Sequence, residues 1–249
     1  MAFSGTVQSR VATVADRFGA TPALRAAYRR VSPLARRNAR DDAHLRLLLA
    51  HGLAHDANAV DVGAHGGDVL ADLVRLAPAG HHVAFEPLPD QAAALRERFP
   101  GVDVHQAAVG AQAGAATFTR VVSNPQLSGL RDRGFAGEET EQLEVPVLRL
   151  DDVCDPDRPV SLLKIDVEGA ELGVLEGGLE LLHRDRPTVV FEHGVGGADH
   201  FGVTSEQVHD LLVGEVGLRI FDIDGEGPLS RQAFAARFRA PIWFFVAHR

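Results

Sequence analysis

The stretch AVDVGAHGGDVLADLVRLAPAGHHVAFEP, residues 59–87, decides how the rest of the chain is read. Ala59–Val62 is apolar apart from Asp61, the pattern of a strand covered on both faces. Gly63, Gly66 and Gly67 then break the run, DVLADLVRLA has helical periodicity, and HVAFE is a second strand. Strand, glycine turn, helix and strand in that order make the repeating unit of a parallel, doubly wound sheet. Gly63 and Gly67 permit a tight turn and close approach of backbone to a ligand, while the helix behind them offers unpaired N–H groups. Glu86 ends the second strand, twenty-three residues past Gly63. A carboxylate there can accept hydrogen bonds from both hydroxyls of a ribose, so the segment describes a nucleoside crevice.

The kind of nucleoside follows from one side chain. A dinucleotide fingerprint needs glycine at its second position, and this chain has His65 there, which crowds a pyrophosphate. S-adenosylmethionine has no phosphate and presents an ammonium, a carboxylate and a sulfonium instead. Asp61, immediately before the turn, is placed for that ammonium. A nicotinamide-dependent oxidoreductase is disfavoured on the same ground.

Working outward, the alternation continues. VDVHQAAV, VSLLKIDV, TVVFEH and LRIFDI are strand-like, and PDQAAALRERF, AELGVLEGGLELLHR and TSEQVHDLLVGEV are helical. APIWFFVAHR reads as an added terminal strand, its direction, parallel or antiparallel, left open. Residues 115–149 form an insertion in which ATFTRVV and LEVPVLRL flank a polar loop. Residues 5–55 read as helices, with Asp41 and Asp42 at a helix start. The organisation expected is a helical arm, residues 1–57, on one domain, residues 58–249.

Composition bounds the rest. The 249 residues, 45% hydrophobic and 24% charged, suit one soluble domain rather than a disordered chain. No run is long enough to span a bilayer, and MAFSGTVQSR lacks the features of a secretory signal, so the cytoplasm is expected and a membrane partner is not. The single cysteine, Cys154, excludes an internal disulfide and a multi-cysteine metal cage, and no partner marks it as a nucleophile. Residues 1–40 carry +7 within a net charge of −9, which leaves −16 on the remainder. Those arginines are spaced along amphipathic helices, and nucleic acid is not expected as a partner. The oligomeric state, a homodimer included, stays open.

Two further motifs carry chemistry. In LLKIDVEGAELGVLEGG, residues 162–178, Lys164 and Asp166 share one strand face, and Asp166 stands at the carboxyl end where such sheets bind ligands. Lys164 is the only lysine beside 24 arginines, an ammonium kept where a guanidinium would not serve. It reads equally as a catalytic group or as a buried partner of a carboxylate. In VVFEHG, residues 189–194, Glu192 and His193 are expected beside Asp166. Asp166, Glu192 and His193 could hold Mg²⁺, or His193 could take a substrate proton directly. The glycine-rich GVGGADHFG that follows reads as a lid, with His200 a candidate substrate contact.

Taken together, DVGAHGG, FEPLPDQAAAL, HQAAVG, LRLDD, LLKIDVEGAELGVLEGG and FEH resemble the FkbM-type methyltransferases over about residues 58–195. The resemblance implies a Rossmann-like class I methyltransferase fold with a seven-stranded, mostly parallel sheet and the amino-terminal helices across the cofactor side. It implies that Asp61, Gly63, His65, Gly67 and Glu86 line the S-adenosylmethionine site, with Gln106 and Ala107 near the adenine and Asp166 facing the transferred methyl. It also places Ser123, Asn124 and Ser128 in a loop over the active site. The family usually has Asn where this chain has His65. The activity implied is O-methylation of a small-molecule hydroxyl, on a sugar or polyketide-like metabolite. A methyltransferase acting on nitrogen or on a protein, and a catalytically silent binding scaffold, are the alternatives.

Overall fold

A computed structural model describes residues 32–134, 137–239 and 242–249. The helices expected within residues 5–31 lie outside the described residues. A long helix, α1 (Pro33–Gly52), leads in and is followed by β1 (Asn58–Val62), α2 (Asp68–Leu76), β2 (His82–Phe85), α3 (Pro89–Arg98) and β3 (Asp103–His105). Next come β4 (Ala108–Val109), β5 (Gly114–Val121), β6 (Thr140–Leu148), α4 (Leu150–Val153) and β7 (Val160–Ile165). The chain closes with α5 (Glu171–Glu176), α6 (Leu179–Asp185), β8 (Thr188–Glu192), α7 (Ser205–His209), β9 (Arg219–Asp222), α8 (Arg231–Arg237) and β10 (Phe244–His248).

Seven strands form the main sheet in the order β3-β2-β1-β7-β8-β10-β9. β10 runs antiparallel to both its neighbours, and the other pairings are parallel. The direction of the chain reverses its stepping between β1 and β7, and in such sheets ligands bind at the strand ends beside that switch. Alternation along each strand builds two cores. Val60, Leu163, Ile165, Val189 and Phe191 face one side, beneath α5, α6 and α8, while Ala59, Leu162, Val190 and Val246 face α1, α2 and α3 on the other. Truncating any of the larger of these side chains to alanine costs about 2–5 kcal/mol.

Three expectations change. VDVHQAAV is not one strand: it breaks after His105, and β4 joins β5 and β6 in a separate three-stranded sheet. AELGVLEGGLELLHR is two helices, interrupted at Gly177 and Gly178, which are poor helix formers; glycine is required at 177 because a Cβ there would stand 2.1 Å from the Gly110 carbonyl oxygen. Asp41 and Asp42 lie in the middle of α1, not at its start. Ser32 caps that helix, its hydroxyl accepting from the Ala35 N–H, and Pro33 occupies the first turn, where a missing N–H is harmless. α1 packs Leu45, Leu48 and Leu49 on Leu70 and Leu73 of α2. Among the described residues, no helix is long and apolar enough to cross a membrane.

Candidate active site

At the carboxyl ends of β1, β2 and β7 an open cleft of about 570 Å³ is lined by the glycine turn, Phe85, Glu86, Ala107, Asp166, Glu168 and Glu192. Its β1–β2 side is defined by backbone. Gly63 has φ +77°, and a Cβ there would stand 1.9 Å from the Asp166 carbonyl oxygen, so only glycine lets β1 and β7 close together. Gly67 has the same φ, and a Cβ would collide with Leu95 and Phe99. His65 is left-handed at φ +46°, a conformation that Asn and His tolerate better than most side chains. Its N–H donates to Glu86 Oε2 at 2.8 Å, and the Leu88 N–H donates to Oε1 at 2.9 Å. Burial pushes the Glu86 carboxyl above its usual range, and these two donors pull against it. Each oxygen of a carboxylate has a further lone pair, so Glu86 can still accept two hydroxyls. These residues fit an adenosine: a glycine turn bare of side chains, a buried acid with spare acceptor capacity and the small Ala107. Gln106 is exposed and lies outside the cleft lining.

Beneath the turn, Asp61 and Lys164 face each other across the β1–β7 register. Lys164 Nζ donates to the Gly63 carbonyl at 2.7 Å and lies 3.1 Å from Asp61 and 3.7 Å from Asp166. Burial alone would lower its pKa, but Asp61 and Asp166 outweigh it and hold the ammonium charged. Asp61 is wholly buried and lies outside the cleft lining, although the sequence places it there. The lone lysine therefore ties two strand ends and the turn together, and its protonated state leaves it unable to accept a proton.

The β7–β8 side is built of acids. Asp166, Glu168 and Glu192 each bring a carboxylate oxygen within 4.8 Å of the others. Glu168 sits at φ +60° and pairs with Arg133 at 2.6 Å, yet burial carries its pKa to about 7. Glu171, buried behind them, accepts from the N–H groups of Val167 and Gly169 and is raised to about 7, again by burial. Burial and then the charges of Asp166, Glu168 and Glu171 lift Glu192 well above its usual value, and in its neutral form it hydrogen-bonds to Asp166. Proton sharing is the natural state of such a cluster.

His193 is not brought to this cluster. Adjacent residues on a strand face opposite ways, and Val190 and Glu192 face the cleft side while Phe191 and His193 face the other. The His193 ring lies 2.8 Å from the Ser205 hydroxyl and stacks on Phe234 at 5.2 Å, and burial holds its pKa down to about 4. The grouping expected of Asp166, Glu192 and His193 is therefore not formed; the acids that come together are Asp166, Glu168 and Glu192. In the loop after β5, Ser128 lines the cleft but uses its hydroxyl to accept from the Val121 N–H at 3.0 Å. Asn124 is buried at the start of a short turn, Ser123 donates to Glu138, and His200 is exposed. Ser123, Asn124 and His200 lie outside the cleft lining.

Sequence reasoning missed Asn38, Asp41, Asp42 and Leu45 of α1, together with Trp243 and Phe244 at the head of β10, all of which line the cleft. The register places Phe244 opposite Glu192. Trp243, the single tryptophan, was the available signal.

Residues 61–218 match the profile of the methyltransferase FkbM domain. The fold is similar to that of a methyltransferase FkbM from Methylobacillus flagellatus KT, with a TM-score of 0.50 at 17% identity over 79% of this chain and 44% of that one. This chain thus spans less than half the length of that protein. Also similar are a putative rRNA-methylase from Clostridium thermocellum (TM-score 0.46, 13% identity, 83% and 93% of the two chains) and a TehB-like SAM-dependent methyltransferase from Corynebacterium glutamicum (0.44, 15%, 91% and 97%). No curated protein matches by sequence.

Proposed function

The chain belongs to the FkbM methyltransferase family, whose members depend on S-adenosylmethionine, and from that premise we propose that it methylates a hydroxyl oxygen of a small, ring-bearing acceptor of the sugar or polyketide kind. The observation that carries the reading is the acidic cluster at the end of β7 and β8, in the same cleft as the glycine turn and Glu86. When bound, the cofactor supplies a methyl group on a positively charged sulfur that an oxygen can attack. Gly63 and Gly67 keep the turn bare, Glu86 holds the ribose hydroxyls, and Ala107 leaves room for the base. Asp166, 31% exposed at the strand end, takes the proton as the acceptor oxygen attacks. Glu192, neutral beside it, hydrogen-bonds to the Asp166 carboxylate and tunes how readily that proton is received. Trp243 and Phe244 give the acceptor an apolar wall, and holding the two reactants in register supplies much of the acceleration.

His193 takes no part in this chemistry, since it faces away. A divalent ion such as Mg²⁺ is the second reading, favoured by the 4.8 Å grouping of three carboxylates, and would be held by Asp166, Glu168 and Glu192. Transfer of a labelled methyl group to a panel of hydroxyl and amine acceptors, with and without EDTA, tests both readings. Label on oxygen at full rate in chelator is the expected result. Label on nitrogen alone would overturn the acceptor class, and activity restored by Mg²⁺ would favour the metal.

A further inference from the structure

The cofactor site lacks the acid expected beside the turn. Asp61 is wholly buried outside the cleft lining, with Lys164 3.1 Å away donating to the Gly63 carbonyl. The methionine tail of S-adenosylmethionine carries an ammonium of its own, and burying that charge without an acid beside it is costly. Four carboxylates of the cleft wall stand apart from the acidic cluster: Asp42 and Asp68 are exposed, Glu86 is the buried acid already assigned to the ribose, and Asp41 is the other buried one. Asp41, in the middle of α1, is only 4% exposed yet forms part of the cleft wall, with Asn38 and Leu45 on either side of it along the helix. Arg37, one turn earlier, holds Asp41 at 2.8 Å and reaches Asp224, just past β9, at 2.6 Å. Since β9 and β10 lie on the opposite side of β1 from β2, this tether draws α1 to the part of the cleft away from Glu86. Burial keeps the Asp41 carboxyl above its usual range even beside Arg37, and its Oδ1 is buried without a hydrogen-bond partner among the described residues.

We propose that Asp41 receives the ammonium of the methionine tail, which makes helix α1 part of the cofactor site rather than a cap upon it. The assignment rests on the S-adenosylmethionine reading above and names the residue that reading lacks. Arg37 and Asp224 are positioning residues: they fix the helix and the rotamer of Asp41 without facing the ligand.

Calorimetric titration of the full chain with S-adenosylhomocysteine and with 5′-methylthioadenosine, which keeps the nucleoside and thioether but has no amino acid, separates the possibilities. Asp41→Asn should weaken S-adenosylhomocysteine about ten-fold or more, the scale of a lost charged hydrogen bond, while methylthioadenosine changes by less than about two-fold. Arg37→Gln loosens the same carboxylate without removing it, and should weaken S-adenosylhomocysteine selectively but by less than Asp41→Asn does. Equal weakening of both ligands in Asp41→Asn, or a selective loss in Arg37→Gln as large as that in Asp41→Asn, would reduce Asp41 to a structural counter-ion. Selective loss in Asp42→Asn with none in Asp41→Asn would move the role one residue along. Wild-type protein that takes up neither nucleoside would overturn the cofactor reading itself, a result distinct from all of these.

Discussion

The two sides of the cleft are made in opposite ways. On the β1–β2 side each acid has a settled partner before any ligand arrives: Glu86 accepts two backbone N–H groups, and Asp61 lies 3.1 Å from the Lys164 ammonium. On the β7–β8 side three acids crowd together with Arg133 as the basic partner of Glu168. A finished surface binds a fixed molecule without reorganising, whereas a crowded acidic one takes up a proton readily, since burial and mutual repulsion favour the neutral form, and so suits proton abstraction. The contrast divides binding from chemistry, and it can be broken at three points.

The largest effect belongs to Asp166. Asp166→Asn keeps the shape of the strand end but removes the proton acceptor, so turnover should fall about 10²–10⁴-fold, the usual worth of a positioned base. Cofactor affinity should change little. Rate assays paired with calorimetry check this, and a near-normal rate would place the base elsewhere. Glu86→Gln reverses the pattern. It should raise the dissociation constant of S-adenosylhomocysteine about ten-fold, because one acceptor of the ribose becomes a donor, while turnover at saturation is retained. Loss of turnover with unchanged affinity would blur the division between the two sides.

The smallest effect is one of pH. Glu171 titrates near 7 in the folded protein because of its burial, and near its ordinary value of 4.5 when unfolded. Between those values the unfolded chain has lost a proton that the folded chain keeps, so Glu171 makes stability fall as pH rises from about 4.5 to 7 and adds no slope above. Glu171→Gln still accepts the N–H groups of Val167 and Gly169 and should flatten that decline in urea unfolding. An unchanged slope would mean that the buried acid is already compensated.

The contrast also explains what could be read from the sequence. The β1–β2 side is contiguous: strand, glycine turn, helix and acid fall within residues 59–87, and each part follows from local sterics. β10 was legible as a strand too, from the aromatic and β-branched run that forms it, while its antiparallel direction comes from the sheet pairing. The other side is assembled from distant segments. Arg133 meets Glu168, and Trp243 and Asp41 reach the cleft, only through long-range packing, which no local pattern encodes. His193 was within reach, since period-two alternation in VVFEH puts it on the same face as Phe191, opposite Glu192. Its titratable ring outweighed its position. Ser32 and Pro33 spelled the start of α1 more clearly than the two aspartates did.

The most direct test is a titration of the wild-type chain with S-adenosylhomocysteine beside a parallel one with NAD. Saturable one-to-one binding of the first, with no uptake of the second, is the predicted result. Binding of the dinucleotide, or no heat from the thioether at any concentration, would contradict the account at its root.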